Sequence, residues 1–83
     1  MVSNKEVAQE IVKLLQESED ITKKTQNRII KEVSKRIDVG SVMVTDVLSQ
    51  LKALQVVSFQ IVQRAKVYSV NKKNLDRIGE IKD

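Results

Sequence analysis

The stretch RIDVGSVMVTDVL, residues 36–48, carries Gly40, one of only two glycines in an 83-residue chain. It stands between two segments that both read as amphipathic helix. A glycine inside a continuous helix costs about 1 kcal/mol relative to alanine. The flanking residues therefore have to distinguish one long helical hairpin from two helices joined by a turn.

On the amino-terminal side, SNKEVAQEIVKLLQES opens with Ser3 and Glu6 at capping-box spacing. Val7, Ile11, Leu14 and Leu15 then recur at helical intervals, so a first helix is expected over residues 4–17. SEDIT breaks the pattern and offers Ser18, Asp20 and Thr22 as caps. A second helix is expected over about 23–37, apolar at Ile29, Ile30, Val33 and Ile37, with Lys24, Arg28, Lys31 and Lys35 on or near its other side. Beyond Gly40, Val44, Val47, Leu48, Leu51 and Leu54 restore the helical period over 41–54. The composition then changes to VVSFQIVQRAKVYSV, a near-alternating β-rich run that the basic QRAK divides into strands at about 56–62 and 66–70. The turn between them lacks Gly, Pro, Asn and Asp. Finally, Leu75, Ile78 and Ile81 sit at spacing three in NKKNLDRIGEIKD, read as a short helix over about 72–81 that Gly79 softens. Helix, helix, turn, helix, hairpin, helix is an α+β order, mainly α, in a single domain over residues 1–83.

Composition excludes several kinds of chemistry. There is no Cys and no His, which removes disulfides, nearly all zinc chemistry, the imidazole base and the thiol nucleophile. No glycine-rich loop is present to cradle phosphate, so neither catalysis nor a cofactor is expected. Glu17, Glu19 and Asp20 form an acidic cluster without calcium-loop spacing; solubility is its expected role, and no metal site is expected. No apolar run approaches the ~18 residues of a membrane span. MVSNKEVAQE reads neither as a signal peptide nor as a myristoylation site, so an intracellular protein (cytoplasmic, nucleoid-associated) with no membrane partner is expected. Phe59 and Tyr68 are the only aromatic residues. Two rings are too few for the stacking platforms of a single-strand binder and are expected to pack within the hairpin.

The net charge of +4 is unevenly spread. Residues 1–20 carry −3, residues 21–38 carry +4, residues 39–58 balance, residues 59–75 carry +4 and residues 76–83 carry −1. Two basic segments and an acidic start point to one polar face of positive potential. A solvated surface gives the same pattern.

The opening stretch, extended to SKRIDVGSVMVTDVL, resembles the helix-turn-helix of winged-helix DNA-binding proteins. In that resemblance Ile37 ends the second helix, Val39 plugs the core from the turn, and Val44 and Leu48 anchor the third helix. LSQLKALQVVSF resembles the family's run from recognition helix into first wing strand, and KVYSV the returning strand with Tyr68 inward. The likeness covers nearly the whole chain and rests on residue classes rather than identities. There are two departures. The second helix is longer than usual, and Asp38 stands where the family often has glycine, with Gly40 two places later. A remodelled turn is expected, with Gly40 in a backbone conformation that a side chain would resist.

The resemblance implies a third helix in the major groove and a wing at adjacent phosphates or the minor groove. The base-reading candidates are Ser41, Thr45, Ser49 and Lys52, opposite the apolar face, with Val42 and Met43 near the helix start to meet thymine methyls. Asp46 is awkward there, since a carboxylate repels phosphate and its helical neighbours Val42, Met43, Ser49 and Gln50 carry no charge. Phosphate-contact candidates are Lys23, Lys24, Arg28, Lys31 and Lys35 of the second helix and Arg64 and Lys66 of the wing. Each neutralised phosphate contributes about −0.9 to the slope of log affinity against log salt. The same cations equally suit a solvated helix face and a hairpin charged against edge pairing. Leu75, Ile78 and Ile81 are candidate homodimer contacts, because the family often dimerises through its terminal helices; packing on the first helix is the alternative. The expectation is a double-stranded-DNA-binding transcriptional regulator, a homodimer acting without a small-molecule ligand. Its rival is a winged helix used for protein contact in a larger assembly, which Asp46, Val42, Met43 and the nearly uncharged third helix suit.

Overall fold

Three α-helices, one antiparallel β-hairpin and two 3₁₀ segments form an α+β, mainly helical fold in the computed structural model, which describes residues 2–17 and 19–82. The first helix, α1 (Asn4–Glu17), starts at its expected cap: the Ser3 hydroxyl oxygen accepts the Glu6 amide at 3.2 Å, and the Ser3 carbonyl accepts the Val7 amide at 3.1 Å. Val7, Ala8, Ile11, Val12, Leu14 and Leu15 form its buried stripe.

The helix expected from residue 23 begins instead at Gln26. A separate 3₁₀ turn, Ile21–Lys24, precedes α2 (Gln26–Arg36). Two caps cause the division. Asp20 Oδ1 accepts the Thr22 amide at 3.0 Å and the Thr22 hydroxyl at 2.8 Å, which opens the turn. Thr25 is extended (φ −73°, ψ 154°), and its hydroxyl oxygen accepts the Arg28 amide at 3.4 Å to open α2. An antiparallel bridge to Val67 holds Thr25 extended. Of the other two expected caps, Thr22 lies inside the 3₁₀ turn as the donor to Asp20, and Ser18 lies outside the described residues. The helix ends as expected at Ile37, whose amide donates to the Val33 carbonyl at 3.0 Å.

Gly40 lacks the special backbone conformation expected of it. Its φ of −87° and ψ of 164° are ordinary extended values at the N-cap of α3 (Ser41–Ala53), and a Cβ added there meets nothing within 4 Å. The chain turns just before it, where the Val39 amide donates to the Ile37 carbonyl at 2.9 Å in a three-residue turn. Ile37 and Val39 pack half-buried against the core. Positive φ occurs instead at Gln55 (62°), Gln63 (50°) and Arg64 (68°).

Val44, Val47, Leu48 and Leu51 anchor α3 in the core. The helix stops in a Schellman arrangement: the Gln55 amide donates to the Lys52 carbonyl at 3.0 Å and the Val56 amide to the Leu51 carbonyl at 2.9 Å. Gln55 thus occupies a position that glycine usually fills. The chain emerges as β1 (Val57–Val62) and returns, after a two-residue loop, as β2 (Ala65–Val70), so each strand starts one residue away from its expected position. The register pairs Val57 with Val70, Phe59 with Tyr68 and Val62 with Ala65. Positive φ at both loop residues identifies a type I′ turn, whose twist matches that of the strands.

The last element is a 3₁₀ helix, Lys72–Glu80, and not the expected ordinary helix over 72–81. Leu75, Ile78 and Ile81 recur at every third position, which is the 3₁₀ repeat and places them on one face. Ile81 is buried in the core of its own protomer, with Leu75 and Ile78 half-buried against that core. That corrects Ile81 as a dimer contact, since its side chain is already spent on closing the protomer. The chain end is clamped as well. The Lys82 amide donates to Gln50 Oε1 at 3.0 Å, while Asn4 Nδ2 donates to the Lys82 carbonyl at 2.6 Å, tying α1 to α3. Arg77 Nη1 donates to the Leu54 carbonyl at 3.3 Å, at the helix end where a cation is favoured.

Candidate functional site

Phe59 is the meeting point of α3 and the hairpin. It projects from β1 on the face shared with its cross-strand partner Tyr68, and the two rings lie 5.6 Å apart between centroids. Tyr68 is buried, its hydroxyl reaching Gln26 Oε1 at 3.4 Å, and burial raises its phenol above the ordinary value of 10.0. That anchorage fixes the Phe59 ring, which gathers two cations. Lys52 Nζ, from the last turn of α3, stands 4.2 Å from the ring centroid, and Lys66 Nζ, from β2, stands 5.0 Å from it. Both are within cation–π range, which places the two ammonium groups within about 9 Å of each other. Like charges at that separation repel, and the ring's negative face offsets part of the repulsion. Arg64 stands at the exposed hairpin tip. Among the described residues, Lys52, Arg64 and Lys66 have no acidic partner.

The outer face of α3 is nearly neutral. Ser41, Val42, Thr45, Asp46 and Ser49 line a shallow surface groove, and Val42 is 82% exposed. The Thr45 hydroxyl donates to the Ser41 carbonyl at 2.8 Å, so its proton is already used. Asp46 Oδ2 accepts from Gln50 Nε2 at 3.3 Å, one helical turn on, a neighbour that charge alone did not reveal. Met43 lies on the flank of this face, half-buried against the core, so that only part of its side chain is open to the surface.

The cations of the second helix are not gathered beside α3. Lys23 and Arg28 share a surface hollow with Leu14, Glu17, Glu32 and Arg36 on the α1 side. Lys35 Nζ lies 3.9 Å from Glu32 Oε1. Lys31 is exposed, and Lys24 immediately precedes Thr25, which bridges to Val67. Arg36, which sequence reasoning did not single out, is the structural cation here. It donates to Glu17 at 3.1 and 2.6 Å and lies 3.8 Å from Glu10. Hydrogen bonding to Arg36 lowers the Glu17 carboxyl below its ordinary value and raises the guanidinium in turn. Only the charge balance of residues 1–20 against 21–38 hinted at such a pairing.

Among the described residues no group of acidic side chains is placed to hold a metal ion, and no helix is long and apolar enough to cross a membrane. Comparison with protein-family models, curated proteins and solved structures finds no match to this chain.

Proposed function

We propose that the chain is a winged-helix protein that binds double-stranded DNA and regulates transcription by occupying its site. The element order and the inward placement of Val39, Val44, Leu48 and Tyr68 support the winged-helix reading. The observation that carries DNA binding is the pair of ammonium groups on Phe59, which joins the recognition helix and the wing into one basic edge without acidic partners. In this reading Ser41, Val42 and Ser49 face the major groove. Hydroxyls and a methyl-bearing side chain discriminate bases weakly, so phosphate contacts carry most of the affinity.

Lys52, Arg64 and Lys66 together give a slope of about −2.7 in log affinity against log salt, at about −0.9 each. Fluorescence anisotropy of a labelled duplex at three salt concentrations measures it. Lys52→Ala/Lys66→Ala is expected to bind more weakly, with a slope near −0.9. A second reading, docking of α3 onto a protein, is favoured by Val42 and Asp46 on its exposed face. Absence of duplex binding at low salt refutes the first reading and leaves the second.

A further inference from the structure

The hairpin tip has a composition that DNA backbone contact alone does not explain. From Ala53 to Gln63 the chain carries no charge, and Ile61 and Val62 are 71% and 40% exposed at the end of β1. They point to opposite faces of the ribbon, because side chains alternate along a strand. Ile61 shares its face with Phe59 and its cross-strand partner Lys66, while Val62 pairs with Ala65 on the other. The tip therefore exposes one apolar side chain on each face, with Arg64 in the turn and Lys66 across from Ile61 as its only charges, both positive.

A flat protein surface covers one face of a two-stranded ribbon and leaves the other wet. A groove encloses both. From Phe59 to Val62 the strand rises about 10 Å, at roughly 3.4 Å per residue, beyond the point where the hairpin leaves the core. That exceeds the depth of the DNA minor groove, about 7.5 Å. Two strands spaced about 4.8 Å apart, with their side chains, are wider than a groove of about 6 Å, so entry requires the groove to open. Apolar side chains pressed against base steps open it by unstacking them, and the duplex bends toward the major groove. The phosphate rails on either side match the positive tip.

We infer that the hairpin tip is an apolar wedge that enters the minor groove of duplex DNA and kinks it, with Ile61 and Val62 against the base step and Arg64 and Lys66 on the flanking phosphates. The inference rests on the DNA-binding reading above and adds to it a deformed DNA product.

The test uses a 30-base-pair A·T-rich duplex carrying an energy-transfer pair at its ends and a second duplex carrying 2-aminopurine, with anisotropy read on the same samples. The wild-type chain is expected to bring the ends closer and to raise 2-aminopurine emission several-fold. Ile61→Ser/Val62→Ser is expected to keep the salt slope, bind about tenfold more weakly, and lose both signals. Ile61→Leu should retain them, and Ile61→Gln alone should reproduce most of the loss. Because both residues are exposed, melting curves of the variants should overlay that of the wild type. Binding by the wild type without shortening or unstacking overturns the wedge while leaving DNA binding intact. So does a serine variant that still bends the duplex. No duplex binding by the wild type, even at low salt, overturns both.

Discussion

Replacing the hairpin loop Gln63-Arg64 by Asn-Gly should stabilise the protein and weaken the proposed duplex binding at once. Both residues sit at positive φ, 50° and 68°, in a two-residue loop. The left-handed conformation costs a residue with an ordinary Cβ roughly 1–2 kcal/mol. Asparagine tolerates it and glycine meets no steric penalty, although glycine gives back about 0.5–1 kcal/mol through the greater freedom of its unfolded chain. The expected net gain for Gln63→Asn/Arg64→Gly is about 1–2 kcal/mol, a rise of roughly 5–12 °C in melting temperature for a domain of this size. Removing the Arg64 charge should simultaneously reduce the salt slope of duplex binding by about 0.9. Thermal melts followed by circular dichroism and anisotropy at three salt concentrations measure the two effects. Single variants divide them: Gln63→Asn should add stability without touching the slope, and Arg64→Lys should leave both nearly unchanged. A double variant no more stable than the wild type would falsify the strain argument. One that is more stable but binds with an unaltered slope removes Arg64 from the interface. Strain retained where a better turn residue exists is the pattern expected when the side chain serves a task other than folding.

Gln55 occupies the glycine position of a Schellman cap, and no task is apparent for its side chain; Gln55→Gly should raise stability by about 0.5–1 kcal/mol in urea denaturation, and a loss would mean the amide is engaged. Ile81→Ala should cost about 2–5 kcal/mol, as expected for truncation of a buried aliphatic residue. If Ile81 instead joined two protomers, sedimentation would show dissociation with the monomer's urea midpoint unchanged. The Glu17 carboxyl is held below its ordinary value of 4.5 by Arg36, so its contribution is complete above that pH and disappears as pH falls through the lowered folded value. Melting temperature should therefore drop below about pH 4.5, less so in Arg36→Met; an identical acid limb in the variant refutes the pairing.

Most of the helical framework was legible because its signals are local. Ser3 with Glu6, the stripe Val7–Ile11–Leu14–Leu15, and Val44–Val47–Leu48–Leu51 each lie within a few turns of one helix, and each folds as its period predicts. The misreadings had two physical origins. Thr25 is extended because Val67, far along the chain, pairs with it, and nothing between residues 20 and 37 announces that bridge. The turns are hidden in the sequence because glycine is the usual marker of unusual backbone, whereas positive φ falls here on Gln55, Gln63 and Arg64. The period of three at Leu75, Ile78 and Ile81 did contain its answer, since three is the 3₁₀ repeat. At the candidate site the identities of Lys52, Lys66 and Phe59 could be read, but their meeting could not. Lys52 and Phe59 come together only once the Schellman cap has folded β1 back beside α3.

That long-range geometry places two segments of equal charge in unequal surroundings. Residues 21–38 and 59–75 each carry +4, yet the first lies against the acidic α1, where Arg36 binds Glu17 and Lys23 and Arg28 share a hollow with Glu17 and Glu32. Part of its potential is offset there, through Arg36. The second segment is flanked in sequence by residues 39–58, whose one carboxylate, Asp46, accepts from Gln50. Of its four cations Arg64 and Lys66 lie on the hairpin and Lys72 and Lys73 on the terminal 3₁₀ helix, so the hairpin with Lys52 carries three cations that have no acidic partner among the described residues. A molecule charged in this way is oriented by a polyanion before contact, hairpin first, and the advantage disappears within a Debye length of about 8 Å at physiological salt. Charge reversal at Glu17 would remove the closest acidic partner of Arg36, leaving Glu10 at 3.8 Å, and spread positive potential to the α1 side. Such a variant should bind duplex more tightly at low salt while losing the orientation that brings the apolar tip to the groove.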